Sequence, residues 1–173
     1  YLDGITFVRQ EDSAKRVSAL EAVDFNIIEN DDPLQIVAIR KEVAAGRLKT
    51  TESDKFTEVS YTMVNATAAP FNNLAARQAV AYGVDRDTYN RIRNDGILTN
   101  ATGPFAIGVQ GNLADSGLPN YDPGRAKAAA AQYQQETGKK LTFALSYTAD
   151  PSTTQDAVLI KQREFSVGLQ HPL

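Results

Sequence analysis

The stretch PFNNLAARQAVAYGVDRDTY, residues 70–89, contains the strongest helix signals in the chain. Asn72 or Asn73 can act as the N-cap, because an Asn side-chain oxygen accepts a hydrogen bond from free N–H groups of the first turn. Small and apolar residues then recur along one helical face: Ala76, Ala79, Val80, Gly83 and Val84. This pattern predicts a helix that packs closely against a sheet or another helix.

A second helix follows directly from the first. Asp85 can cap it, Tyr89 and Ile92 share one face, and Gly96 can end it. Further helix starts are predicted at Asp12 or Ser13, Asp32-Pro33, Asp122-Pro123, and Ser152 or Thr153. The helix predicted after Asp122-Pro123 has a similar face of small residues, which contains Ala126, Ala129, Ala130 and Tyr133.

Between these helices lie short segments that are rich in β-branched and aromatic residues or alternate apolar with polar residues. We predict strands over residues 5–9, 24–28, 48–52, 56–64, 141–148 and 165–169. Strands that alternate with helices favour parallel pairs joined by right-handed crossovers. The predicted fold class is α/β, with a mixed central sheet flanked by helices, and residues 1–173 are expected to form one domain.

Two joins are shorter than a helix-to-strand turn normally requires. Near residues 22–23 and again near 162–165, the usual Gly or Asn turn signal is absent. We expect that residues of the natural sequence are omitted at both places. The chain also begins at Tyr1 without a signal peptide, so we interpret it as a piece of a longer protein whose targeting information is not included.

A long connection, residues 97–121, is rich in Gly and Pro. Long loops without secondary structure are uncommon in compact domains and often functional. The alternative is a surface excursion packed by its own apolar residues, Phe105, Ile107 and Leu113.

Composition narrows the functional classes. The net charge is −3, without the basic patch typical of nucleic-acid binders. No apolar run approaches the ~20 residues that span a bilayer. With no cysteine and one histidine, the chain lacks the ligands of structural zinc sites. There is no Gly-x-Ser-x-Gly elbow, and acidic pairs such as Asp85 and Asp87 are better explained by helix capping. We predict no catalytic residues, no metal site and no cofactor.

From Asn65 to Arg86 the sequence follows the pattern N-x-T-x-x-P-F-x-x-x-x-x-R-Q-A-x-x-Y-G-V-D-R. This pattern resembles the family 5 extracellular solute-binding proteins of bacterial ABC importers, which bind peptides, dipeptides or nickel. Those proteins have Pro-Pro-Phe, Val-Arg-Gln-Ala and Ala-Ile-Asp-Arg, whereas Ala69, Ala76 and Gly83-Val84 depart from it here. Supporting matches are the start at Tyr1, the segment around Leu20, the loop before Pro104, the Tyr121-Asp122-Pro123 helix start and residues 165–172.

The resemblance implies most of one lobe of a periplasmic-binding-protein-like, type II bilobal fold that closes on its ligand by a hinge motion. The ligand is a peptide or similar small solute, and the partner is the membrane permease of an ABC importer. The resemblance places Gln170 and His171 near the cleft, with Asn65 and Thr102 as further candidate ligand contacts. It implies an extracytoplasmic location, with any membrane attachment through a lipid anchor that this chain lacks.

Three alternatives remain open. Similar lobes serve as ligand sensors in cytoplasmic transcription regulators, for which a helix-turn-helix in place of a lipobox cysteine would be diagnostic. A nickel or metal-chelate ligand is also compatible with the resemblance, although His171 is one potential ligand and metals usually need several. An enzyme would need catalytic residues from outside this chain.

Overall fold

The structure is a computed structural model that describes residues 2–53 and 59–166, apart from the side chains of residues 163–166. These ranges contain six helices: α1 Ser13–Glu21, α2 Pro33–Ala44, α3 Leu74–Gly83, α4 Arg86–Arg93, α5 Pro123–Thr137 and α6 Pro151–Ser166. The chain divides into two compact units, Tyr1–Glu52 and Ser53–Leu173, and each is described by itself. The prediction of one lobe stays a prediction.

Each of the six helices starts after an Asp or Asn whose side chain accepts from the first turn. The caps are Asp12, Asp32, Asn73, Asp85, Asp122 and Asp150. The first five confirm the predicted helix starts. Of the two candidate caps of α3, Asn72 and Asn73, the cap is Asn73. The predicted cap of α6 at Ser152 or Thr153 is wrong, because Asp150 accepts from both of those backbone N–H groups at 3.0 and 2.9 Å. Asp150-Pro151 repeats the Asp-Pro signal of α2 and α5.

The predicted strands are not paired in the described residues. Segments 5–9, 24–28, 48–52, 59–64 and 141–148 carry no strand ladder, and Thr142 alone forms an isolated bridge. Many of their apolar side chains are exposed: Phe7 is 91%, Ile27 87% and Met63 81% accessible, whereas Leu141 is buried. An alternating pattern predicts an extended segment with two unlike faces, but a ladder also requires a partner that the pattern cannot supply. The central sheet is therefore not observed in this part of the chain.

The predicted last strand, residues 165–169, is also corrected. Helix α6 continues through residues 162–165 and ends at Ser166, while residues 167–169 lie outside the described ranges. The expected omission of residues at 22–23 and 162–165 stays a prediction.

Unit 1 is a helix pair whose entry segments are joined by hydrogen bonds. Ser13 Oγ donates to the Asp32 carboxylate at 3.1 Å, so the N-terminal ends of α1 and α2 lie together. Arg16 donates to the backbone oxygens of Glu29 at 3.0 Å and Gln10 at 2.8 Å. Val17 is buried as predicted. The prediction that α2 is well buried is wrong. In this helix, all of which the structure describes, only Pro33 is buried.

Unit 2 is organised around the contact between α3 and α5. The buried cluster consists of Ala75, Ala76, Ala79, Ala126, Ala129, Tyr133 and Leu141. The predicted inward faces of both helices are thereby confirmed. Phe71 and Phe143 pack at one side of this cluster with ring centroids 5.1 Å apart and a tilt of 58°, a favourable aromatic geometry. Because the facing side chains are mostly methyl groups, the two helix backbones can approach closely.

Helices α4 and α6 are joined by a buried ion pair. The Arg93 side chain is 7% exposed, and its Nε donates to Asp156 Oδ1 at 2.8 Å. Ser152 Oγ accepts from the same guanidinium. Burial, together with a hydrogen bond to Asp156, raises the pKa of Tyr89 well above its ordinary value. Ile92, which the sequence pattern places on one face with Tyr89, is 47% exposed, and the buried residues of α4 are Thr88 and Arg93.

The C-terminal ends of α1 and α2 have the same hydrogen-bond pattern, but the residue with positive φ is valine after α1 and glycine after α2. In α1 the Val23 and Asp24 N–H groups donate to Leu20 and Ala19 oxygens at 3.1 and 2.9 Å. In α2 the equivalent bonds run from Gly46 and Arg47. This Schellman arrangement needs a left-handed residue, and φ is +66° at Val23 and +74° at Gly46. A β-branched residue is strained there, whereas glycine is not.

Replacing Val23 with glycine should therefore raise the free energy of unfolding. Left-handed backbone costs a non-glycine residue about 1–2 kcal/mol, partly offset by the extra freedom of glycine in the unfolded chain, so we expect a net gain of about 1 kcal/mol. Urea titration followed by circular dichroism measures it, and hydrogen exchange at the end of α1 localises it. The matched variant Gly46→Val should have the opposite effect. A destabilising Val23→Gly would contradict this account of the turn.

Breaking the ion pair between α4 and α6 should lower the free energy of unfolding more than breaking an exposed ion pair does. Asp156→Ala leaves the buried Arg93 charge without its carboxylate and should lower the free energy of unfolding by about 3 kcal/mol. The control is Glu52→Ala, which breaks the 2.6 Å pair with Arg40 whose side chains are 43% and 49% exposed. That change should cost less than about 1 kcal/mol. Equal losses in urea titration would show that the Arg93 pair contributes no more than a surface contact.

Candidate functional site

The long loop predicted over residues 97–121 is present and is fastened by its own polar side chains. Thr102 Oγ1 donates to the Leu113 oxygen at 3.2 Å, and Asn112 Nδ2 donates to the Phe105 oxygen at 2.8 Å. Ser116 Oγ donates to the Thr102 oxygen. Bonds across the base of a loop hold its two arms together, so this segment has a defined shape despite having no helix or strand.

Helix α4 holds both ends of the same loop. Asn90 on α4 donates to the Leu98 oxygen at 2.6 Å, and Asn100 donates to the carboxylate of Asp87 at 2.5 Å. Arg86 donates to the Pro119 oxygen at 2.9 Å. The loop therefore starts and finishes against α4, whose first residues belong to the stretch 70–89.

A cavity of about 220 Å³ lies within the loop and is lined by Gly103, Pro104, Phe105, Gly111, Leu113 and Ser116. Gly111 has φ +94°, and a Cβ atom there would lie 3.3 Å from the Phe105 ring. Glycine thus allows both the backbone turn and the close ring contact. The packing expected of Phe105, Ile107 and Leu113 is seen only in part, because Phe105 and Leu113 line the cavity but all three side chains are largely exposed. A functional role of the loop stays a prediction.

The predicted site residues have separate local roles. Thr102 is half-buried and bridges the arms of the loop, as described above. Asn65 is exposed, and its Oδ1 accepts from the backbone and hydroxyl of Thr67 at 3.1 and 2.7 Å, which forms a turn before α3. In the described part of the chain no hydrogen bond joins Asn65 to Thr102. Gln170 and His171 lie outside the described residues.

The two arginines on the identifying stretch are structural. Arg77 donates to the Phe71 oxygen at 2.7 Å, and Arg86 holds Pro119. Each guanidinium thereby satisfies a backbone carbonyl that a loop would otherwise leave without a partner. Both arginines thus have a structural role in the described part of the chain.

A second, larger cavity of about 380 Å³ opens beside the start of α3 and the end of α5. Its lining residues are Ala69, Asn72, Asn73, Tyr133, Thr137 and Lys139. Glu136 lies next to it, accepting from Asn73 Nδ2 at 2.7 Å and from Gln132 Nε2 at 2.8 Å. The hydrogen bonds from Asn73 and then from Gln132 lower the pKa of Glu136. The sequence offered no signal for this cavity, because its residues come from helix ends far apart in the chain.

Within residues 2–53 and 59–166, no group of three His, Cys, Asp or Glu side chains is placed to hold a metal ion. Among the helices of the described ranges, none is both long and apolar enough to cross a membrane.

Comparison with known proteins assigns the chain to a family. The profile described as bacterial extracellular solute-binding proteins, family 5 Middle, matches residues 1–170. The glutathione-binding protein GsiB of Pectobacterium atrosepticum is 27% identical over 111 residues, which are 64% of this chain and 21% of GsiB. The chain thus spans about a fifth of that relative.

Two solved structures share the fold. MoaA of A. tumefaciens R10, in complex with mannopinic acid, superposes with a TM-score of 0.71 at 20% identity, over 95% of this chain and 32% of MoaA. NikZ of Campylobacter jejuni, in complex with Ni(L-His), gives 0.59 at 17% identity, over 92% of this chain and 33% of NikZ. The chain corresponds to about a third of each, which fits a lobe of a periplasmic-binding-protein fold. On the match along residues 1–170, the chain belongs to the family 5 bacterial extracellular solute-binding proteins.

Proposed function

We propose that the full-length protein is the solute-capturing component of an ABC importer, and that it binds small peptides or comparable solutes between two lobes. The observation that carries this proposal is the family match over residues 1–170, nearly the whole chain. The protein works outside the cytoplasm, delivers its ligand to a membrane permease, and is held at the membrane by a lipid anchor. A cytoplasmic sensor domain is the alternative that would require a different location.

A peptide is the ligand class that we favour. The curated relative is described as glutathione-binding, and glutathione is itself a small peptide. Peptide receptors can hold the backbone of the ligand through hydrogen bonds, while roomy pockets accept varied side chains. Main-chain hydrogen bonds carry no sequence information, so broad specificity within the peptide class follows.

We place the ligand contacts of this lobe at Gln170 and His171, with Asn65 and Thr102 in supporting positions. The hydrogen bonds of Asn65 and Thr102 fix turns that end close to helices α3 and α4, so both side chains present rigid rather than adaptable surfaces. Closure of the two lobes by a hinge would bring these residues against a ligand held by the other lobe. The scaffold helices α3 and α5 do not change shape in this scheme.

A metal chelate is the second candidate. The fold neighbour NikZ was solved with Ni(L-His), a complex in which the ligand supplies part of the metal's coordination. A receptor for such a complex needs fewer metal ligands of its own, and His171 would be the residue of this chain that coordinates it. Binding of a peptide and binding of a metal chelate are therefore two separate hypotheses about the ligand of the same residues.

Titration calorimetry of the full-length protein tests the proposal. Glutathione, di- to pentapeptides and Ni(L-His) are titrated separately, and we expect saturable binding of one or more peptides. His171→Ala should weaken that binding roughly tenfold, as expected for one lost hydrogen bond to a charged group. Gln134→Ala, on the exposed side of α5, is the matched control and should bind as the parent does.

Two results would count against the peptide assignment. Binding of Ni(L-His) without any peptide would move the protein to the chelate class. Binding of peptides that His171→Ala leaves unchanged would retain the function but remove His171 from the site.

A further inference from the structure

We propose that the cavity of about 380 Å³ beside α3 and α5 is a binding site for a small solute that carries a single carboxylate. Its lining residues are distinct from Gln170, His171, Asn65 and Thr102. The inference therefore does not depend on the transport proposal, and the two can fail separately.

The first argument is the hydroxyl of Tyr133. This residue lines the cavity and is 6% exposed, yet its hydroxyl has no hydrogen-bond partner in the portion of the chain that the structure describes. Hydroxyl groups of residues this little exposed usually have a partner, and in an open cavity that partner is water or a bound solute. A carboxylate oxygen in the cavity is an acceptor that satisfies it.

The second argument is the arrangement of cationic and amide donors at the cavity. Lys139 lines it, and over the described ranges its ammonium group has no ion-pair partner. The C-terminal turn of α5 fixes its backbone, since Thr137 Oγ1 donates to the Tyr133 oxygen at 2.7 Å and accepts from the Lys139 N–H at 3.3 Å. The Asn72 side chain lines the same cavity. A hydroxyl, an ammonium and an amide are donors suited to a carboxylate.

The third argument concerns the charge of the ligand. Glu136 lies beside the cavity, and hydrogen bonds from Asn73 and Gln132 lower its pKa, so that it is a carboxylate at neutral pH. Its charge repels anions and offsets part of the attraction of Lys139. A ligand with one negative charge accepts from the donors and is repelled least by Glu136. Phosphate or a dicarboxylate carries more negative charge and is repelled more strongly.

Saturation-transfer NMR with the full-length protein tests this site. The probe is N-acetylglycine, and the matched control ligand is N-acetylglycinamide, which has the same shape without the carboxylate. We expect saturable transfer to N-acetylglycine and at least about tenfold weaker binding of the amide, because the charge-assisted hydrogen bonds are lost.

Three variants decide which residues form the site. Tyr133→Phe keeps the ring but removes the hydroxyl, and Lys139→Gln removes the charge; each should weaken N-acetylglycine binding roughly tenfold. Lys140→Gln changes the adjacent exposed lysine, which does not line the cavity, and should have no effect. Because Lys139 is exposed, Lys139→Gln remains informative even if Tyr133→Phe folds poorly.

Four outcomes would overturn the proposal. They are the absence of saturable transfer, equal binding of acid and amide, an effect of Lys140→Gln as large as that of Lys139→Gln, and a folded Tyr133→Phe variant that binds like the parent.

Discussion

The close contact between α3 and α5 is the constraint on which unit 2 depends. Ala75, Ala76 and Ala79 face Ala126 and Ala129, and no larger side chain would fit between the two backbones without moving them. Tyr133 and Leu141 complete the buried cluster at one end. Helix α4 follows directly on α3, and the cavity of about 380 Å³ is lined by residues at the start of α3 and the end of α5.

Several residues of the family pattern have structural roles. Asn73 and Asp85 cap helices, and Arg77 and Arg86 donate to backbone carbonyls. The matched proteins are described with different ligands: glutathione, mannopinic acid and Ni(L-His). We propose that the ligand contacts vary within the family while these scaffold contacts persist.

Local signals allowed the helices to be predicted but not the sheet. An Asp or Asn cap followed by Pro, or by a periodic apolar face, depends on neighbours within one turn, and five of six starts were confirmed at the predicted residues. The sixth was missed because Ser152 and Thr153 were preferred over Asp150, although Asp150-Pro151 carries the stronger signal. Strand pairing is non-local, so exposed segments such as the one around Phe7 could be recognised as extended but not paired.

The candidate site was predictable only in part, for the same reason. The Gly- and Pro-rich composition pointed to the loop around Thr102, whereas nothing local joins Arg93 to Asp156 or Asn72 to Lys139. At Val23 the sequence did give a signal, because the glycine usual in such a turn is absent. The backbone shows why glycine is favoured there, since φ is positive.

The central claim, that this chain is part of a receptor for peptides, is tested most directly by native mass spectrometry of the full-length protein purified without refolding. The account predicts a ladder of mass shifts that correspond to co-purified peptides. A single shift that corresponds to a non-peptide metabolite or a metal complex would contradict it.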